Sequence, residues 1–152
     1  MDLSGNKELL DRYLVAFFAS RTAPPEALDL AKRWAYEISR TDKIVISGFH
    51  SPIERAVLDI LLANGCSVVV ALGRSLYRKI PMHLQAAYDS NRVLFVSFRD
   101  YSRPSFSNSQ TRNWLTADLA SEVVFAPFDN SSQLSSLHYS IAHSSTPCIV
   151  LK

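Results

Sequence analysis

Short, wholly apolar runs recur along this chain, each separated from the next by a stretch with helical spacing, and few folds accept that pattern. Residues 13–19 (YLVAFFA), 43–46, 67–72 (SVVVAL), 92–97, 122–126 and 147–151 have strand length and are rich in β-branched or aromatic side chains. Between them, residues 26–40, 52–63, 81–88, 109–120 and 133–144 read as helices. In the first of these, Ala27, Leu30, Ala31, Trp34 and Ile38 share a face. Pro24-Pro25 suits a loop entering a helix, and Asn64-Gly65 supplies a C-terminal stop. Strands apolar on both faces belong to a parallel sheet covered on both sides. Right-handed crossovers then predict a three-layer α/β/α, Rossmann-like, doubly wound and mostly parallel sheet. At 152 residues one domain is expected. It is placed over 13–152, after a short, partly helical leader over 1–12. Residues 100–108, rich in Ser and Pro, read as a long loop.

Charge and motif content narrow the function. Sixteen basic against fourteen acidic residues give a net charge of +2, which alone does not call for nucleic acid. The distribution is uneven: residues 73–117 carry seven basic and two acidic side chains, net +5, leaving −3 elsewhere. Such a stretch suits an anion, or is an ordinary solvated face. No apolar run approaches the roughly 18 residues of a membrane span, and the N-terminus lacks a secretory pattern. With only Gly5, Gly48, Gly65 and Gly73 available, neither GxGxxG nor a Walker A loop can be drawn. Cys66 and Cys148 match no zinc spacing and read as buried thiols of a reducing cytoplasm.

In a doubly wound sheet, ligands bind outside the carboxyl ends of the strands. That rule selects Ser20-Arg21, Ser47-Gly48-Phe49-His50, Gly73-Arg74-Ser75, residues 97–103 and residues 127–132, the last containing Asn130, Ser131 and Ser132. Hydroxyls, backbone amides and arginines gathered on one rim form an anion site. Singly, each loop is equally an ordinary turn. Catalytic constellations are poor. His50 and Glu54 are four apart and form an acid–base candidate, although His50 beside Pro52 also suits a loop or cap. No GxSxG elbow exists. His138 and His143, five apart, do not share a face as metal ligands would. Trp34 and Trp114 read as core residues. Tyr77, Phe98, Tyr101 and Phe106, near arginines, could stack bases or sit at a subunit contact.

The motif order is similar to that of the Rossmann-type domain of the DNA-processing protein A (DprA/Smf) family. The family's first strand ends in Gly-Ser-Arg, and here the run is Ala19-Ser20-Arg21. Its Ser-Gly, then Gly-Ile-Asp at a helix start, corresponds to Ser47-Gly48 and Pro52-Ile53-Glu54. Its Gly-x-Gly-Leu-Asp-x-x-Tyr-Pro loop resembles residues 73–81, its Arg-Asn-Arg at a helix start resembles Arg112-Asn113-Trp114, and its Ser-Gly-Ser loop resembles Asn130-Ser131-Ser132. The chain differs where family glycines become Ala19, Pro52, Ser75 and Ser131, and where Glu54 and Trp114 replace Asp and Arg. The family's flanking helical and winged-helix modules have no counterpart, so a stand-alone form is expected. The resemblance implies non-enzymatic binding of single-stranded DNA or another phosphate-bearing ligand, without a cofactor. It further implies a homodimer, a RecA-type recombinase as partner, and a role in DNA uptake and recombination. Carried over, Ser20, Arg21, Ser47, Gly48, Gly73, Arg112, Asn113 and Ser132 form the pocket. Phe49, Arg74, Asn130 and Ser131 join them as rim neighbours. The alternatives are a nucleotide hydrolase of the wider lysine-decarboxylase-like superfamily, using Glu54 or His50, and a scaffold that has lost its ligand.

Overall fold

The computed structural model describes residues 1–98 and 106–152, with side chains from residue 110 onward in the second segment. Seven strands form one sheet: β1 (Asp2–Gly5), β2 (Leu14–Phe18), β3 (Ile44–Ser47), β4 (Val68–Leu72), β5 (Val93–Ser97), β6 (Glu122–Phe125) and β7 (Cys148–Val150). Among the described residues five α-helices connect them: α1 (Ala27–Ile38), α2 (Pro52–Ala63), α3 (Met82–Asp89), α4 (Phe106–Leu119) and α5 (Leu134–Ala142). The strand order is β1-β5-β4-β3-β2-β6-β7. All neighbours pair in parallel except β1 with β5. This is the doubly wound, Rossmann-like α/β class expected from the apolar runs.

The two-faced character of the strands is literal. On β2, Val15 and Phe17 pack into one core with α1, α2 and α3, through Ala31, Ala35, Val57, Leu58 and Leu84. Leu14, Ala16 and Phe18 point into the opposite core, with Ala117 of α4 and Leu134, Leu137 and Ile141 of α5. Phe17 stacks on Trp34 with ring centroids 4.8 Å apart, which confirms Trp34 as a core residue. Phe17, Phe18, Phe95 and Phe125 are fully buried, each contributing roughly 2 kcal/mol through burial. Trp114 departs from expectation, since 42% of it is exposed on α4.

Three further differences have physical causes. Residues 2–5, read as part of a leader, form an edge strand antiparallel to β5. Its ladder is sustained by Ser4 Oγ against Tyr88 Oη at 2.9 Å and by Gly5 at φ +118°, where a side chain would collide with the Val93 carbonyl. Four residues, half of them polar, carry too short a pattern to read as a strand. The loop expected over 100–108 falls largely on residues 99–105, outside the described residues, while α4 already runs at Phe106. Cys66 and Cys148 are free and only half-buried.

The topology places the rim. From β2 the chain steps through β3, β4 and β5 in one direction; α4 then crosses back over the sheet to β6. The strand order therefore reverses between β2 and β6. A crevice opens at such a switch point, beside the carboxyl ends of the strands.

Candidate anion-binding site

The site is built on the start of α2. Ser51 caps the helix, accepting from the Glu54 amide at 3.2 Å, and Pro52 occupies the first turn, where no amide hydrogen is needed. Glu54 completes the capping box: its Oε1 accepts from the amides of Ser51 at 3.2 Å and His50 at 2.9 Å. Its Oε2 reaches across to accept from the Ala19 amide at 3.0 Å. One buried carboxylate thus ties the end of β2 to the turn after β3. With three amides on its two oxygens, Glu54 is engaged as an anchor rather than poised as a general base.

That turn is strained and tight. Ser47 is fully buried, and its Oγ accepts from the Phe49 amide at 3.1 Å. Phe49, also buried, has φ +51°, a left-handed conformation unusual for a bulky residue and a recurring mark of functional turns. Gly48 lies directly beneath the Arg112 guanidinium. A Cβ at Gly48 would stand 2.6 Å from Arg112 Cζ and 2.7 Å from Nε, so a side chain there would force the guanidinium to move.

Arg112 reaches this point because α4 crosses the sheet. It lies in the middle of α4 rather than at a helix start, since the helix begins at Phe106. The side chain is 6% exposed. Its Nε and Nη2 donate to Asn113 Oδ1 at 3.2 and 3.0 Å. Among the described residues, Nη1 finds no hydrogen-bond partner although it is buried. Burial pushes the Arg112 pKa down, against the opposing charge of Glu54. A buried, half-satisfied guanidinium is costly unless a further acceptor completes it.

Two other cations, Arg21 and Arg55, lie with Arg112 within electrostatic reach of His50. His50 retains exposed surface, yet its pKa is lowered to about 4, first by partial burial and then by the charges of Arg112, Arg21 and Arg55. In the unfolded chain the imidazole protonates near 6.5, so between pH 6.5 and 4 the unfolded state binds the extra proton. This contribution to stability is therefore present above pH 6.5 and is lost as pH falls toward 4. A phosphate placed among the arginines would cancel their repulsion. The His50 imidazole, followed by NMR, is expected to titrate near pH 4 alone and distinctly higher with phosphate. A midpoint that phosphate leaves unmoved would detach His50 from the site.

At the switch point itself, hydroxyls converge. Ser132 Oγ donates to Ser20 Oγ at 3.0 Å, and Ser20 Oγ also accepts from the Thr22 amide at 3.1 Å. The loops after β2 and β6 are thus joined across the crevice, with Arg21 exposed beside them. Not every expected residue converges there. Gly73 is buried at the end of β4. Arg74 is occupied locally, with its guanidinium 4.5 Å over the Tyr77 ring and Nε donating to the Ser75 carbonyl. Asn130 and Ser131 are exposed; the Asn130 carbonyl accepts from Ser135 Oγ at 2.8 Å. The basic stretch does not gather on one face: Arg92 precedes β5, at the opposite edge of the sheet, and donates to the Cys66 carbonyl at 3.3 Å. Arg99, Asp100, Tyr101 and Arg103 lie outside the described residues, as does the Phe106 side chain. Arg55 was missed by sequence reading; only its position one residue after Glu54 on α2 could have pointed to it. Among the described residues no three metal-ligating side chains converge.

A mostly parallel, doubly wound sheet whose strand order reverses between β2 and β6 defines the Rossmann-like α/β class of protein. Comparison with known proteins carries the assignment further. The profile of the DNA recombination-mediator protein A family matches residues 2–144, and the chain belongs to that family. The fold is similar to that of DNA processing protein A from Helicobacter pylori, a structure described for its single-stranded DNA binding mode. The TM-score is 0.77 at 19% identity, covering 97% of this chain and 69% of that one. It is equally similar to DNA processing protein A (DprA) from Streptococcus pneumoniae, with TM-score 0.77 at 20% identity, covering 97% of this chain and 53% of that one. The chain thus spans about half the length of the S. pneumoniae protein. No curated protein sequence matches it significantly.

Proposed function

We propose that this domain binds single-stranded DNA through its phosphates at the β2/β3/β6 rim, as a non-enzymatic DNA-processing protein. The observation that carries this reading is the buried Arg112 Nη1, left without a partner beside Gly48. A phosphate oxygen supplies the acceptor it lacks and forms a charge-assisted bond. Ser20, Ser47, Gly48, Arg112, Asn113 and Ser132 form the floor and wall, and Arg21, His50 and Arg55 surround the mouth. Family membership and the DNA-binding H. pylori relative support DNA as the phosphate bearer. Handover to a RecA-type recombinase, homodimer formation and action in the cytoplasm during DNA uptake extend the same proposal. Among the described residues no helix is long and apolar enough to cross a membrane. Engagement of Glu54 by three amides weighs against the hydrolase alternative.

The test is a salt titration of oligonucleotide affinity. Arg21 is exposed and contributes a screened charge, so Arg21→Ala should weaken binding modestly and lower the slope of log affinity against log salt by about 1. Identical slopes in the two proteins would remove Arg21 from the interface. Wild-type protein with no affinity for single strands at low salt would end the DNA reading.

A further inference from the structure

Among the described residues, the rim supplies groups for phosphates but little aromatic surface for bases. Tyr77, a sequence candidate for stacking, is turned edge-on to Phe95 at 5.4 Å and covered by Arg74. Phe98 packs against the α4/α5 core. Trp34 lies on Phe17. A different aromatic surface sits beyond Ser132. A cleft of about 370 Å³ opens between the loop after β6, helix α5 and strand β7. Phe128, His138, Tyr139 and His143 line it, with Asn130 and Ser135 among its polar groups. On α5, Leu134, Leu137 and Ile141 turn inward, which leaves residues 135, 138, 139 and 142 to face the cleft. Spacing alone had separated His138 from His143, yet both line it.

The ring geometry suits a planar guest. His138 is held edge-to-face by Phe125 at 5.2 Å and by Phe128 at 5.7 Å, so its orientation is set by packing. Tyr139 and His143 lie 4.1 Å apart with an interplanar angle of 30°, and Tyr139 is 66% exposed. His143 Nδ1 stands 2.8 Å from the Tyr139 carbonyl, which can only accept. That nitrogen therefore carries a proton, and in the neutral form of the ring Nε2 is an acceptor. The Asn130 side-chain amide, offering both a donor and an acceptor, has no partner within the chain among the described residues. A donor–acceptor edge beside aromatic faces matches a nucleobase better than an aliphatic or highly charged guest. The volume holds one base with its sugar and little more.

The cleft continues the rim. Ser132, whose hydroxyl bridges to Ser20, lies two residues after Asn130. Two residues of chain span at most about 7 Å, so a nucleotide whose phosphate sits at the rim can place its base over Phe128 and Tyr139.

We propose that the cleft between the β6–α5 loop, α5 and β7 is a nucleobase-stacking subsite, with Tyr139 and Phe128 as its stacking rings and Asn130 reading the base edge. The proposal rests on the phosphate-rim reading for the path of the strand. The cleft itself is tested separately with deoxyadenosine, which has no phosphate. Saturating deoxyadenosine should move the imidazole NMR signals of His138 and His143 while leaving His50 and His83 in place. Tyr139→Ala, a surface change that spares the core, should abolish those shifts and weaken oligodeoxyadenylate binding about tenfold. An abasic oligonucleotide should bind both proteins equally. Unmoved His138 and His143 signals, or shifts and affinity that Tyr139→Ala leaves intact, would overturn the subsite. Shifts that instead follow protein concentration without nucleoside would assign the cleft to a second copy of the chain and equally overturn it. Failure of wild-type protein to bind any oligonucleotide, with the deoxyadenosine shifts present, would retain the cleft and discard only the rim.

Discussion

Arg112→Met is expected to leave the domain as stable as the parent or more so, while weakening phosphate and oligonucleotide binding by at least about tenfold. The two effects have one origin. The guanidinium is buried against Gly48 with Nη1 lacking a partner. An unsatisfied buried donor costs about 1–3 kcal/mol, and more when charged. Methionine keeps an unbranched apolar stem and removes that cost, and replacement of buried charges by apolar residues of similar size is often neutral or stabilising. Glu54 is not stranded by the change, because three backbone amides still satisfy it. Binding, by contrast, loses a charge-assisted bond of about 1.5–3 kcal/mol. Thermal melts with and without phosphate separate the two. Phosphate should raise the melting temperature of the parent, through its preferential binding to the folded state, and leave that of Arg112→Met unchanged. A variant that melts several degrees lower and binds as before would make Arg112 a structural strut.

Glu54→Ala has the opposite signature. It removes the acceptor of the Ala19, His50 and Ser51 amides together and breaks the capping box. Each bond to a charged acceptor contributes about 1.5–3 kcal/mol, and such bonds are not additive. A loss of about 3–5 kcal/mol is expected, which for a chain of this size lowers the melting temperature by about 10 °C. Denaturant titration measures the loss directly. Glu54→Gln retains an acceptor oxygen without the charge and should recover part of it. A loss below about 1 kcal/mol in Glu54→Ala would show that water replaces the carboxylate and that the anchor is dispensable.

Residues that sequence reading and structure assign alike owe their roles to local rules. Pro52 opens a helix and Asn64-Gly65 ends one, so the bounds of α2 are those the sequence predicts. Ser20, Ser47-Gly48 and Ser132 stand on the rim because each follows an apolar run, and parallel strands all finish at the same edge. Arg74 and Arg112 show where local rules stop. Both are arginines in the same basic stretch, yet one is spent on Tyr77 and its own loop while the other is buried over Gly48. Nothing within a few residues of either distinguishes them.

The amino-acid pattern alone therefore determined the α/β class, most element boundaries and which loops share the carboxyl edge of the sheet. These follow from burial and chain direction, which repeat with every strand. Tertiary structure decided the rest: which arginine is half-satisfied, that the Glu54 carboxylate ties the end of β2 to the turn after β3, that residues 2–5 complete the sheet edge, and that His138 and His143 share a cleft. Most of these depend on groups far apart in sequence meeting across a crossover or a sheet edge. Their energies arise from desolvation and unfilled hydrogen bonds, which exist only once the chain has closed around them.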